Sequence, residues 1–390
     1  MALAGELSRV GVEMLASATR IGMDVAGPFA DAVDSDGRFP SESIDAMRQA
    51  GLLGALVPTK YGGLGCTYTD LSVICTELGK HCSSSAMVFA MHQIQVACIV
   101  EHCQGLRYFD DLMTEIAASG RLVASATTEA GIGGDVRSSL CAVEYDGDKI
   151  SIAKNASVIS YGNHVDDVLV TARASSGAAA SDQVIVHVAR PNLTLDPSGE
   201  WDTIGMRGTS SIGFVLRATG TIEQIVPTKY AEVSARTMLP VSHITWASLW
   251  LGIAEDAVQK ARVYVRAAAR KNPGTLPPSA LHLAETFGAL EKVRALVEVA
   301  VHEYDRVRAD ADQATSMGFA IRMNNLKLSA SQDVLTVVQQ CLFICGIEGF
   351  RNDTPYSLGR QLRDASSARL MVHNDRILDH NASLLCVMKD

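Results

Sequence analysis

The sequence predicts an α+β chain of three successive units: a helical domain over residues 1–121, a compact β domain over 122–233 and a helical bundle over 234–390. Three observations predict it. Apolar residues recur at three- and four-residue spacing as far as Arg121, short alternating and β-branched runs take over from Leu122 to Val233, and the helical period returns after Ala235. In the first unit LAGELSRVGVEMLASATRIGMDVA, SIDAMRQAGLLGAL and the long TYTDLSVICTELGKHCSSSAMVFAMHQIQVACIVEHC read as amphipathic or buried helices, with the turn-rich PTKYGGLG between the second and third. In the second, LVASATTE, AVEYDGDKISI, SVISYG, VDDVLVTAR, QVIVHVA, IGFVLRAT and IEQIVP read as strands. Tyr145-Asp146-Gly147-Asp148 marks a hairpin, because Asp-Gly accepts the positive φ of a tight turn. In the third, HITWASLWLGIAEDAVQKARVYVRAAARK, the break NPGTLPP, and then SALHLAETFGALEKVRALVEVAVHEYDRVRADADQ, MGFAIRMNNLKLSASQDVLTVVQQCLFICG and SARLMVHNDRILDHNASLLCVM supply the long helices of an antiparallel bundle.

Composition narrows the function classes. With 390 residues, 47% of them hydrophobic, the chain buries a large core and is not disordered, and 31 Gly with 11 Pro exclude a collagen-like or low-complexity character. A balance of 34 Lys+Arg against 43 Asp+Glu argues against a nucleic-acid binder. The nine cysteines are odd in number and scattered through apolar stretches, which suits reduced thiols and a cytoplasmic location. Cys341 and Cys345 lie one helical turn apart, but no second Cys/His pair accompanies them, so no metal site is expected. MALAGELSRVGVEML lacks a basic segment followed by an apolar one, so no signal peptide is expected; nor is a membrane span, for want of an unbroken apolar run of about 18 residues.

Four short motifs stand in order. They are Ala124-Ser125-Ala126-Thr127-Thr128-Glu129-Ala130-Gly131-Ile132-Gly133-Gly134-Asp135; Gly205-Met206-Arg207-Gly208-Thr209-Ser210; Arg270-Lys271-Asn272-Pro273-Gly274; and Gly346-Ile347-Glu348-Gly349-Phe350 followed by Arg363-Asp364-Ala365. In the first, three glycines leave backbone N–H groups uncovered, so that a ligand's carbonyls can approach closely, and Thr127 and Thr128 add hydroxyls. The bland alternative is a plain strand-to-strand turn. Together the motifs resemble the acyl-CoA dehydrogenase superfamily, flavoproteins in which a β-barrel-like domain, an N-terminal helical domain and a C-terminal four-helix bundle hold FAD and an acyl thioester. The resemblance spans essentially the whole chain. It implies that Thr127, Thr128, Gly133 and Gly134 contact the flavin, with Gly346 and Asn374 also on the cofactor side, and that Arg270 reaches the FAD diphosphate of a neighbouring subunit in a homodimer or homotetramer. For Arg270 alone, a solvated helix-end arginine is the competing reading.

The chain also departs from that pattern. The family's tryptophan over the flavin falls on Val158, the adjacent threonine becomes Ser160, the phenylalanine after the bundle arginine is Pro273, and the adenine-side glutamine falls on Phe343. Counted from Arg363-Asp364-Ala365, the usual catalytic glutamate falls on Val372; the alternative site early in the bundle's first helix falls on Ser242. Neither is a carboxylate. The nearest titratable groups are His373, Asp375, His243 and His92, and they form the candidate catalytic set. His373 leads, because a helix start with Asn374 beside it lies where the base normally projects, and an imidazole suits proton transfer at neutral pH. For His92, in an apolar helix, a satisfied core histidine is the favoured reading, and Asp375 with Arg376 reads also as a surface ion pair. Met87, Phe89, Met91, Trp246 and Trp250 line the acyl pocket or fill the core.

Three functions compete. The leading one is FAD-dependent α,β-dehydrogenation of an acyl thioester, carried by CoA or an acyl carrier protein, in specialised metabolism. The second is a flavin-dependent oxygenase on the same scaffold, which needs no α-proton base and would use His92, Ser160 and His373. The third is a non-catalytic subunit of a hetero-oligomer.

Overall fold

A computed structural model describes residues 6–133, 135–271 and 273–388. The first unit holds α1 (Arg9–Ile21), α2 (Gly27–Asp36), α3 (Ser41–Gln49), α4 (Tyr68–His81), α5 (Ser83–His102) and α6 (Arg107–Ser119). A capping box starts α4, with Thr67 and Asp70 satisfying each other's backbone N–H. The Asp70 carboxylate also accepts from the Ser8 N–H at 3.0 Å and the Ser8 hydroxyl at 2.7 Å, which pins the start of α1 to the start of α4. On length and composition α5 and the later helix Met317–Cys345 could cross a bilayer, although neither is an unbroken apolar run. α5 is instead the core helix of its unit, buried along nearly its whole length.

The middle unit holds β1 (Val123–Ala126), β2 (Glu144–Asp146), β3 (Lys149–Ile159), β4 (Asp167–Arg173), β5 (Gln183–Ala189), β6 (Leu193–Ser198) and β7 (Ile212–Thr221). They form a three-stranded sheet, β1-β4-β5, and a four-stranded sheet, β2-β3-β7-β6. The β2–β3 hairpin turns through Gly147 at φ 58°, as its Asp-Gly pair predicts. β3 alternates buried and exposed residues until the register against β7 slips between Ala156 and Ile159. That bulge turns Val158 outward.

The last unit holds α7 (Tyr230–Val233), α8 (Leu239–Lys271), α9 (Ser279–Val307), α10 (Ala311–Ala314), α11 (Met317–Cys345), α12 (Ile347–Phe350), α13 (Gly359–Ser366) and α14 (Asn374–Val387). α8 and α11 run in the same direction: His243 meets the Met323 carbonyl near their starts, and Ala268 and Ile344 line one hollow of about 410 Å³ near their ends. α4 crosses α8 at glycines; a Cβ on Gly252 would lie 2.2 Å from the Thr76 carbonyl oxygen, and one on Gly79 would lie 2.4 Å from that of Leu249. One apolar core runs through all three units. All nine cysteines are free, and only Cys386 is exposed.

Candidate functional site

β1 leads directly into the glycine loop at residues 127–133. Thr128 Oγ1 donates to the Val158 carbonyl at 3.1 Å and accepts from the Val158 N–H at 3.2 Å, which docks the loop on the β3 bulge. The Thr127 carbonyl accepts from Thr171 Oγ1 at 3.4 Å. Glu129 turns inward, its carboxylate accepting from the Ser139 hydroxyl at 2.8 Å and from the N–H groups of Leu140 and Cys141, each at 2.9 Å. It is the loop's anchor. Gly133 takes φ 60°, a conformation that favours glycine, and a Cβ there would meet nothing within 4 Å, so one face of the loop is open. Gly134 lies outside the described residues.

Beside the bulge runs a chain of buried hydroxyls. Thr209 Oγ1 donates to the Met206 carbonyl at 2.9 Å, Ser211 lies 2.8 Å from Thr209, and Ser160 lies 2.8 Å from Ser211. Each hydroxyl has a single proton, so all three bonds are made only if Ser160 donates to Ser211 and Ser211 to Thr209. The remaining lone pairs of Ser160 are then left as acceptors. The same segment fastens the β domain to the bundle, since the Met206 N–H donates to the Asp364 carboxylate at 2.7 Å. Two of the four motifs thus meet.

The third wall is the turn before α14. Val372 is left-handed at φ 47°, a costly conformation for a β-branched residue, and its side chain is half exposed. His373 caps α14, its Nδ1 accepting from the Asp375 N–H at 3.3 Å, and Asp375 points into solvent. With Nδ1 accepting, the ring proton of the neutral form sits on Nε2, so His373 faces outward as a donor. Arg376 donates to the Gly133 carbonyl and joins α14 to the glycine loop. Asn374 is buried, and its Oδ1 accepts from Lys327 Nζ at 2.5 Å. Sequence reading missed Lys327, a fully buried amine whose pKa is pushed down to about 7 by burial and by nearby Arg369.

Two of the candidate bases take other roles. His92 is fully buried; its Nδ1 accepts from the Val123 N–H at 3.0 Å, and its Nε2 donates to the Leu53 carbonyl at 2.7 Å. With both nitrogens committed to backbone, it is a bridge between the helical domain and β1. His243 is also buried and donates from Nδ1 to the Met323 carbonyl at 2.9 Å. Burial pushes both imidazoles down to about 4, which keeps them neutral. Met87, Phe89, Trp246 and Trp250 belong to the core, with Met91 packed against it.

Thr127, Thr128, Gly133 and Val158 therefore lie together on loop and bulge with Ser160 beside them, and Arg376 ties the turn that carries His373, Asn374 and Asp375 to the loop at Gly133. Arg270 and Gly346 do not join them. They lie at the far ends of α8 and α11, and Gly346 is roughly 28 Å along α11 from Lys327 at about 1.5 Å per residue. Phe343 near that end is 85% exposed. Among the described residues, no group of three His, Cys, Asp or Glu has the arrangement of a metal site.

Comparison with known proteins matches residues 12–105 to the family "Acyl-CoA dehydrogenase, N-terminal domain" and residues 233–372 to "Acyl-CoA dehydrogenase, C-terminal domain". The chain is 25% identical over 358 residues to cyclohex-1-ene-1-carbonyl-CoA dehydrogenase of Syntrophus aciditrophicus, covering 90% of this chain and 83% of that protein. It is also 25% identical over 354 residues to the probable FMNH2-dependent monooxygenase SfnC of Pseudomonas putida, covering 84% and 85%. Among solved structures, FMN-bound TdsC from Paenibacillus sp. A11-2 superposes with a TM-score of 0.83 at 16% identity, covering 96% of this chain and 97% of that one, a likeness of fold.

Proposed function

We infer the function from one premise: this chain belongs to the acyl-CoA dehydrogenase superfamily. Members of the family are flavin-dependent oxidoreductases, and the residues gathered here suit a flavin ring. The open glycine loop offers backbone donors, the outward Val158 offers an apolar cover, and Ser160 offers an acceptor. We propose flavin-dependent monooxygenation as the activity. The observation that carries it is the turn at Val372: an apolar side chain holds the position of the carboxylate base, while Ser242 Oγ donates to the Met238 carbonyl at 2.5 Å and the histidine beside it is tied to backbone. A thioester α-proton is weakly acidic and needs a well-placed acceptor; His373 presents a proton instead. A reduced flavin, when bound, supplies two electrons to O₂, so that one oxygen atom enters the substrate and the other leaves as water. The chain's part is to hold the ring on the open backbone of the glycine loop that Thr128 docks on β3, to cover it with Val158, and to orient the substrate by acceptance at Ser160 and donation from His373 Nε2.

The second reading is α,β-dehydrogenation of an acyl thioester, favoured by the glycine loop that the chain shares with the family's thioester enzymes. A dinucleotide cofactor would extend past this site to the Arg270 and Gly346 of a second copy, which is the arrangement proposed for FAD in a homodimer or homotetramer. One pair of measurements separates the readings. Purified protein is titrated with FMN and with FAD, then supplied with NADH and a flavin reductase while O₂ is followed. Monooxygenation predicts substrate-dependent O₂ uptake and no bleaching by a panel of acyl-CoA thioesters under anaerobic conditions. Anaerobic bleaching by any acyl-CoA overturns it in favour of the dehydrogenase, and protein that binds neither flavin overturns both.

A further inference from the structure

Little apolar contact holds α14 in place. Of its fourteen residues three are buried, Asn374, Ile377 and Asn381, and only Ile377 is apolar. A polar seam binds it to α11 instead. Asn324 Nδ2 donates to Asn381 Oδ1 at 2.7 Å, Asn381 Nδ2 to Asn325 Oδ1 at 3.0 Å, and Asn374 Nδ2 to Ser331 Oγ at 3.1 Å. Lys327 sits between these contacts, giving one hydrogen bond to Asn374 Oδ1 and another, at 2.9 Å, to the carbonyl of left-handed Val372. Asn324, Lys327 and Ser331 are spaced three and four residues apart and so share one face of α11. Among the described residues no carboxylate lies within ion-pair distance of this amine. A buried ammonium without a counter-charge is costly, and here both its bonds go to the turn that starts α14.

We propose that Lys327 is a positioning residue of the candidate site: its amine holds the turn at residues 372–374 and, through α14, sets where His373 points and where Arg376 meets Gly133. The chain of contacts is continuous. Lys327 grips Val372 and Asn374, Asn374 begins the helix that carries Arg376, and Arg376 grips the glycine loop. Without the amine, the left-handed turn loses the bond to its own carbonyl, and a helix with one buried apolar side chain has little else to keep its register. The link from this chain of contacts to catalysis rests on the flavin reading above; the link from Lys327 to the loop does not.

The test uses the full chain with K327M, which keeps the length of the side chain and removes its donors, and K327R, which keeps donors. Hydrogen exchange is measured without flavin on peptides covering residues 369–378 and 127–137, with α5 as the internal control, and FMN affinity is measured alongside. K327M, which loses both hydrogen bonds, is expected to speed exchange in both peptides and weaken FMN binding by at least about tenfold each, the size of one of them, with α5 unchanged. K327R is expected to restore both to within about threefold of wild type, which a volume defect would not allow. A folded K327M that exchanges like wild type overturns the proposal, as does acceleration confined to 369–378. If K327M does not fold, N374A takes its place: about threefold acceleration in both peptides supports the clamp, and none overturns it. Wild-type protein that binds neither FMN nor FAD removes the functional reading, while the exchange result still decides the role of Lys327.

Discussion

His92 joins two units through one ring, and that gives it a measurable signature. Its folded pKa of about 4 lies below the unfolded value near 6.5, so between those limits the unfolded chain binds a proton that the folded chain refuses. Stability is therefore full above pH 6.5 and falls as the pH drops towards 4, by on the order of 3 kcal/mol for this residue. His243, shifted the same way, adds to the fall. Melting temperatures from pH 8 to 4 should be level and then decline, and H92Q, which has a donor and an acceptor but no titration, should remove part of the decline. An unchanged acid slope in H92Q would count against this assignment. His92 was legible as a histidine in an apolar helix; its partners at Leu53 and Val123 were not, since nothing local specifies them. Lys327 was harder still. A lone lysine on an apolar helix face reads as one that reaches out to water, and its acceptors lie 45 and 47 residues further along the chain, beyond the reach of any local pattern.

At the scale of elements, helices and strands follow from periodicity, while the contacts that aim them do not. Glycine within a helix reads as a weakness, yet Gly79 and Gly252 are where α4 and α8 approach most closely. G252V should force the two helices apart and cost about 3 kcal/mol or more, read as a fall in the urea midpoint at constant m-value; a loss under about 1 kcal/mol would mean that the crossing yields. The bulge that turns Val158 outward was equally hidden, because β3 keeps its alternation up to the slip. The seam on α14 was written in Asn374 and Asn381, seven residues apart, but an apolar template passes over a face made of amides.

Across the whole molecule, the order of units was legible because the hydrophobic period changes twice, and the meeting of distant motifs was legible only as a resemblance. The structure supplies the physical link: the Gly205 and Arg363 motifs touch through Met206 and Asp364, which locks the β domain on the bundle. The other motif residues, Arg270 and Gly346, remain at the opposite end of α8 and α11. That separation makes a prediction in genetic terms. A chain carrying R270A keeps an intact loop, and a chain carrying G133W keeps an intact Arg270. If a dinucleotide is held between copies, each alone is defective in FAD binding, yet co-expressed they regain a share of sound sites, about a quarter of the total for random pairing of equal amounts. Recovery would appear in FAD bound per chain after co-purification with two different tags, and its absence would confine each site to one chain. Division of a site between the two ends of a bundle thus becomes intragenic complementation, in which two broken copies repair each other.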